Sequence, residues 1–223
     1  LKVCDALSFA HSQNIVHRDI KPANLMVGAF GEVLVMDWGL ARKIRTGEEE
    51  GTEAPTATPS STQLDPFQTL EGEVLGTPAY MAPEQARGEV HEIDQQTDIY
   101  ALGAILYDIL TGSPPHTERN QQKLLEKVRR SDFPPPRVRA PEANISTELE
   151  AMVLKAMALR KQDRYANVQT FQADLQAYLD GRTLEAARYT PLQLLKKWVD
   201  RNRILSGAIA AVLLTGCVLW GFF

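Results

Sequence analysis

The chain has 223 residues, with 24 Lys and Arg against 28 Asp and Glu for a net charge of −4, and 44% of its residues are hydrophobic. That length holds one large domain or two small ones with enough apolar sequence for a core, and the acidic balance argues against a general nucleic-acid binder, which would present a basic face. The two cysteines, Cys4 and Cys217, lie far apart in contexts of different polarity, which excludes a disulfide scaffold and fits a reducing compartment.

In chain order, Val3, Leu7 and Ala10 have helical spacing and predict a helix over 1–12, with Asn14 as its stop. A loop over 17–24 follows, then a short strand at Leu25-Met26-Val27. Gly31-Glu32 turns the chain into a second strand, Val33 to Met36, which delivers Asp37. Residues 44–69 change character: Glu48-Glu49-Glu50 gives way to a run of Thr, Ser and Pro with few apolar side chains. Such a segment buries too little surface to offset its ordering entropy and is expected to be a mobile insert. Regular order resumes at 74–81. The stretch 98–110 is apolar on most sides (Ile99, Leu102, Ile105, Leu106, Ile109) and predicts a buried helix closed by Gly112. An amphipathic helix is expected over 118–130, an extended connector at Phe133-Pro134-Pro135-Pro136, a helix after Ser146 reaching Leu159, and another from Val168 to Leu179.

Residues 204–223 are twenty positions without a charge. At 1.5 Å per residue a helix of that length is about 30 Å long, the thickness of a bilayer core. Lys196, Lys197, Arg201 and Arg203 precede it with Asp200 as the opposing charge, so the positive-inside rule places the preceding domain in the cytoplasm. Trp198 and Trp220 are candidate interfacial anchors. Gly207, Ala208, Ala211 and Gly216 put small residues in the span without a Gly-x-x-x-Gly, a weak signal for helix pairing. The chain begins at Leu1 within a helical pattern and ends at Phe223 in apolar sequence, as a segment of a longer protein would. The expected organisation is therefore a domain over 1–181, a basic juxtamembrane linker over 182–203 and a single transmembrane helix over 204–223.

The chemistry is concentrated in two short stretches. Asp19 stands in His17-Arg18-Asp19 with Lys21 two residues later and Asn24 five residues later, and Asp37 opens Asp37-Trp38-Gly39. One carboxylate that orients an attacking hydroxyl, with an amide and a second carboxylate to hold Mg²⁺, is what phosphoryl transfer from ATP requires. Ala82-Pro83-Glu84 follows in the order that completes the protein-kinase signature. The chain resembles the larger, mainly α-helical lobe of a Ser/Thr protein kinase, with a short β-hairpin at the catalytic loop, of the bacterial membrane-anchored (Hanks-type) kind.

That resemblance implies ATP and Mg²⁺ as cofactors and protein Ser/Thr hydroxyls as acceptors. It also implies the plasma or inner membrane as the location, and it is compatible with pairing of two copies for autophosphorylation. Asp19 would take or orient the hydroxyl proton, Lys21 would face the γ-phosphate, and Asn24 and Asp37 would ligate the metal. Arg18 would pair with a phosphate on the activation segment, where Thr69 and Thr77 are candidate acceptors; Thr77, in Gly76-Thr77-Pro78, looks more like the threonine that contacts the catalytic loop. Glu84 and Arg164 resemble a buried ion pair, and Asp98 resembles the residue that holds the catalytic-loop backbone. Trp38 stands where the family has phenylalanine and needs a partner for its indole N–H, while Gly39 keeps the turn. No Gly-x-Gly-x-x-Gly loop and no Val-Ala-x-Lys strand occur in these 223 residues, so this segment by itself is expected to be inactive. The alternative reading is a pseudokinase or membrane-tethered docking module.

Overall fold

The computed structural model describes residues 1–44, 78–202 and 206. Lys2–Ser12 forms α1, whose inward stripe is Cys4, Leu7, Ala10 and His11. Burial pushes the Cys4 thiol up to about 11, so at neutral pH it packs as an apolar group and is not a reactive one. The chain leaves α1 through Asn14, in the left-handed region at φ 56°. It then runs through Ile15–Val16 (β1), Leu25–Val27 (β2), Val33–Val35 (β3) and Arg42–Lys43 (β4). β2 and β3 form the expected hairpin, antiparallel with Leu25 opposite Val35 and Val27 opposite Val33. Its turn is closed by Gly28 N–H donating to Glu32 O at 2.9 Å, with Gly31 at φ +79°. A second antiparallel pair, β1 with β4, sets Val16 opposite Arg42. Two-residue strands carry no periodicity, and no sequence pattern announces this one.

Beyond a 3-10 turn at Pro78–Tyr80, the chain is helical: Pro83–Ala86 (α2), Gln95–Thr111 (α3), Gln121–Arg130 (α4), Pro136–Arg139 (α5), Thr147–Ala156 (α6), Val168–Leu179 (α7) and Pro191–Arg201 (α8). α3 starts three residues before the expected Asp98. The Asp94 side chain accepts from Gln96 N at 2.8 Å and opens the helix at Gln95. α6 stops at Ala156, short of Leu159.

α3 is the axis of the lobe. One side of it (Ile99, Ala101, Leu102, Ile105) joins α1, α6 and α7 in a core with Leu7, Ile20, Met152, Tyr165 and Phe171. Its other side (Tyr100, Ala104, Tyr107) packs on Ala82, Val153 and Met157. Only in the last turn does it emerge, leaving Ile109 74% exposed. α3 and α6 meet at Gly103, where a Cβ would lie 2.7 Å from Ala156 Cβ and 2.8 Å from Met157 Cγ. Two helices can approach this closely only where one of them presents no side chain.

The lobe continues beyond Gly181. Leu184 is buried, and Asp174 of α7 accepts from Glu185 N at 2.6 Å and Ala186 N at 2.9 Å. Residues 182–203, expected as a linker, thus begin with a strap tied to α7 and then form α8. Among the described residues no helix is long and apolar enough to cross a membrane. The expected span over 204–223 lies outside the described residues except for Ser206, as does the insert from residue 45 onward, with Thr69 and Thr77.

Candidate active site

The loop between β1 and β2 is held from beneath. Val16, His17 and Ile20 are buried, and Asp98, in the first turns of α3, turns its carboxylate up to the loop backbone. Asp98 Oδ2 accepts from His17 N at 2.9 Å and Oδ1 from Arg18 N at 2.8 Å. His11 Nε2 lies 2.8 Å from Oδ2 and fills the carboxylate's remaining place. Arg18 adopts φ +73°, a conformation that costs a non-glycine residue on the order of 1 kcal/mol or more. It is retained because both of its peptide groups are bonded: the N–H to Asp98, and the carbonyl to Gln85 Nε2 at 2.7 Å.

His17 is a spacer. Its Nε2 donates to Met36 O at 3.0 Å, its Nδ1 accepts from Asp19 N at 3.3 Å, and its ring lies 4.6 Å from that of Trp38. A carbonyl can only accept, so the proton sits on Nε2 and Nδ1 remains free to accept. Trp38 donates its indole N–H to Val35 O at 2.9 Å while its ring stays partly exposed.

These supports place Asp19, Lys21 and Asn24 against one another. Asp19 Oδ2 accepts from Lys21 Nζ at 2.8 Å and from Asn24 Nδ2 at 2.9 Å, and the same amide nitrogen reaches Asp19 O at 2.7 Å. With its nitrogen committed to Asp19, Asn24 has its amide oxygen as the end that can ligate a cation. Asp37 joins the group through the hairpin: Met36 N donates to Asn24 O at 2.8 Å, so Asn24 and Asp37 leave β2 and β3 at the same end. Asp37 is left-handed at φ 56°, and a Cβ on Gly39 would lie 3.3 Å from its Oδ1. Glycine at 39 therefore keeps the approach to that carboxylate open.

An amide oxygen and a carboxylate are hard donors suited to Mg²⁺, a cation that keeps waters and takes its remaining ligands from phosphates. Among the described residues no group of three or more His, Cys, Asp or Glu gathers into a metal site. Any Mg²⁺ held here would thus rest on Asn24 and Asp37 together with a nucleotide.

Sequence reasoning missed the cationic cavity beside this site. The pairing of β4 with β1 brings Arg42 and Lys43 next to Arg18, and with His91 they line a space of about 220 Å³. Arg18 Nε is buried there with no hydrogen-bond partner. Burial, and then the charge of Arg42, hold the Arg18 guanidinium below its usual pKa, against a smaller opposing pull from Asp98. Among the described residues no carboxylate lines this cavity. Arg42 and Lys43 are visible in the sequence three and four residues after Gly39, but nothing there places them beside Arg18.

Glu84 of α2 and Arg164 are brought together from opposite ends of the lobe. Arg164 Nη1 donates to Glu84 Oε1 at 2.8 Å and Nη2 to Oε2 at 2.9 Å, and Thr97 Oγ1 adds a 2.8 Å bond to Oε1. Burial pushes the Glu84 carboxyl up, but the bonds and charge of Arg164 outweigh it and hold the group below the usual carboxylate range. Tyr80 fixes the preceding turn by donating to Asp108 Oδ2 at 2.5 Å.

Comparison with known proteins is consistent with this geometry. The protein kinase domain family matches residues 1–175. The chain is 38% identical over 183 residues to serine/threonine-protein kinase PknD of Protochlamydia amoebophila, covering 82% of this chain and 18% of that protein. It is 37% identical over 180 residues to PknD of Chlamydia pneumoniae, covering 81% and 19%. It is 37% identical over 185 residues to PknB of Mycobacterium tuberculosis, covering 83% and 26%. The chain thus spans about a quarter or less of the length of these relatives.

Proposed function

The chain belongs to the protein kinase domain family, and on that premise we propose that it is the larger lobe of a serine/threonine protein kinase that moves the γ-phosphoryl group of ATP to protein hydroxyls. The observation that carries the reading is the convergence of Lys21 Nζ and Asn24 Nδ2 on Asp19 Oδ2, 2.8 and 2.9 Å away, at the end of the hairpin that also presents Asp37. With Oδ2 held by two donors, Asp19 keeps Oδ1 to accept the proton of a seryl or threonyl hydroxyl. Lys21 supplies positive charge where negative charge accumulates on the phosphoryl oxygens. Asn24 and Asp37 would hold Mg²⁺, which when bound neutralises the phosphates. Arg18, Arg42 and Lys43 would receive a phosphate carried by the segment between β4 and Pro78, where Thr69 and Thr77 are the candidate acceptors, and so order the substrate platform.

The uncharged run 204–223 is proposed as a single membrane span, with Lys196, Lys197, Arg201 and Arg203 holding the lobe on the cytoplasmic side and the bilayer as partner. Two copies meeting in that membrane would allow autophosphorylation. The alternative reading is a pseudokinase or tethered docking module, which would need neither Asn24 nor Asp37 for a metal. Binding of Mn²⁺ with ADP by the protein separates the two. A kinase binds both together and loses them on Asp37→Asn. If metal-nucleotide affinity is unchanged in Asp37→Asn, the assignment of the site is wrong.

A further inference from the structure

α8 is amphipathic in an inverted sense. At 3.6 residues per turn, Leu192, Leu195 and Val199 form one row and Leu194 and Trp198 the adjoining one, and this apolar arc points away from the lobe. Leu192 is 78% exposed, Leu195 58% and Leu194 45%, with Trp198 and Val199 at 37% each. The polar arc faces the protein. Lys197 Nζ bonds Glu148 Oε1 at 2.8 Å and Arg182 O at 2.9 Å, and lies 5.6 Å from the Tyr189 ring centroid. Lys196, Asp200 and Arg201 line a cavity of about 520 Å³ against Thr147 of α6, Leu179 and Asp180. A surface helix of a water-soluble domain is normally arranged the other way, with its apolar stripe inward.

We infer that the outward face of α8 lies in the headgroup region of an anionic lipid bilayer and seats the lobe on the membrane surface. The inference rests on the proposed span at 204–223. Three observations select lipid as the occupant. The apolar arc ends at Val199 and the helix at Arg201, and three residues after Arg201 the uncharged run of twenty begins. Lys196, one turn from Leu192 and Val199, and Arg201, one turn from Trp198, stand at the two borders between the apolar arc and the lobe-side cavity that they also line, where their stems can follow the apolar surface and their charges reach phosphate. The acidic residue of the helix, Asp200, lies between those two borders, on the side of the helix opposite the middle of the apolar arc. Asn202, at φ −114° and ψ 47°, ends α8 just before that run. With the strap tied to Asp174 and Lys197 tied to Glu148, the lobe would be carried at a fixed tilt and not on a free tether.

The test reconstitutes the full chain, with Cys217→Ser, in phosphatidylcholine vesicles with and without phosphatidylserine. A spin label is placed at Leu195→Cys or, separately, at Asp200→Cys; Cys4 is buried and escapes labelling. The inference expects the label at 195 to collide several-fold more with oxygen than with a water-soluble nickel chelate, and the label at 200 to show the reverse. It also expects the contrast to weaken without phosphatidylserine or in Lys196→Glu/Arg201→Glu. A label at 195 open to the chelate in both vesicle types overturns it. So does one shielded from both reagents, which would mean that protein covers the face, either another part of this chain or a second copy. Alkaline extraction of the same vesicles tests the span separately. A chain that is extracted, yet shows lipid contact at 195 beforehand, removes the span and leaves the docking face standing.

Discussion

Replacing Arg164 with Met should destabilise the lobe more than any other single change at the site. The substitution keeps most of the side-chain volume and removes the bonds from Nη1 and Nη2 to Glu84, from Nη1 to Gln96 O and from Nε to Ala158 O. Glu84 then remains buried with the Thr97 hydroxyl as its side-chain donor. Removing one member of a buried pair costs roughly 3–5 kcal/mol, a large share of the ~5–15 kcal/mol by which domains are stable. The melting temperature should fall by roughly 10 °C. The loss should shrink with acidification: without Arg164, burial, the largest influence on Glu84, is opposed by the Thr97 and backbone bonds alone, and protonation then relieves the uncompensated charge. Glu84→Gln/Arg164→Met should recover part of the loss, because no charge is left stranded. Thermal and denaturant unfolding of the three variants, followed by circular dichroism at two pH values, measures all of this. If Arg164→Met stays within about 0.5 kcal/mol of wild type, or the double variant is worse than the single, the argument fails.

Burial, against a smaller upward pull from Asp132, lowers the His116 pKa from 6.5 to about 4, so the folded state binds the proton less well than the unfolded chain. Stability from this group is fully present above pH 6.5 and is lost as the pH falls through about 4. The loss should total about 3 kcal/mol in wild type and be much reduced in His116→Gln, read from unfolding across that range. Gly103→Ala gains about 1 kcal/mol of helix propensity, but its methyl would lie 2.7 Å from Ala156 Cβ. Overpacking of roughly 1–3 kcal/mol should win, and an unchanged or higher melting temperature would show that α3 and α6 separate freely. Arg42→Ala in the longer protein should reduce the gain in activity on phosphorylation, measured by comparing phosphatase-treated and untreated enzyme; an undiminished gain would place the phosphate elsewhere.

Features written in short-range chemistry could be read before the fold was known. The β2–β3 hairpin has branched residues on both sides of Gly31-Glu32, and α6 and α7 carry Ser146 and Asn167 at the positions where their side chains cap. What escaped depends on distance. His11 and Asp98 are 87 residues apart in sequence, and their contact follows from the last turn of α1 meeting the first turn of α3, where Gln95 Nε2 also donates to His11 O. Arg42 meets Arg18 through a pairing of two-residue strands too short to show a pattern. Asp174 reads as the polar face of α7 yet is buried, bonded to Tyr165 and to the strap. α8 was readable, since Thr190-Pro191 is a helix start and Leu192, Leu195 and Val199 share a row. The cluster of charges from Lys196 to Arg203 drew the reading toward a linker instead.

The most direct measurement is transfer of labelled γ-phosphate by the full protein, with Mg²⁺ and a basic protein as acceptor, in wild type and Asp19→Asn. The label should appear on serine and threonine, and the amide, which cannot take the hydroxyl proton, should lower the rate by ~10²–10⁴-fold while nucleotide binding persists. Transfer at the wild-type rate by Asp19→Asn would contradict the account, as would a wild-type protein that binds nucleotide and metal yet transfers nothing.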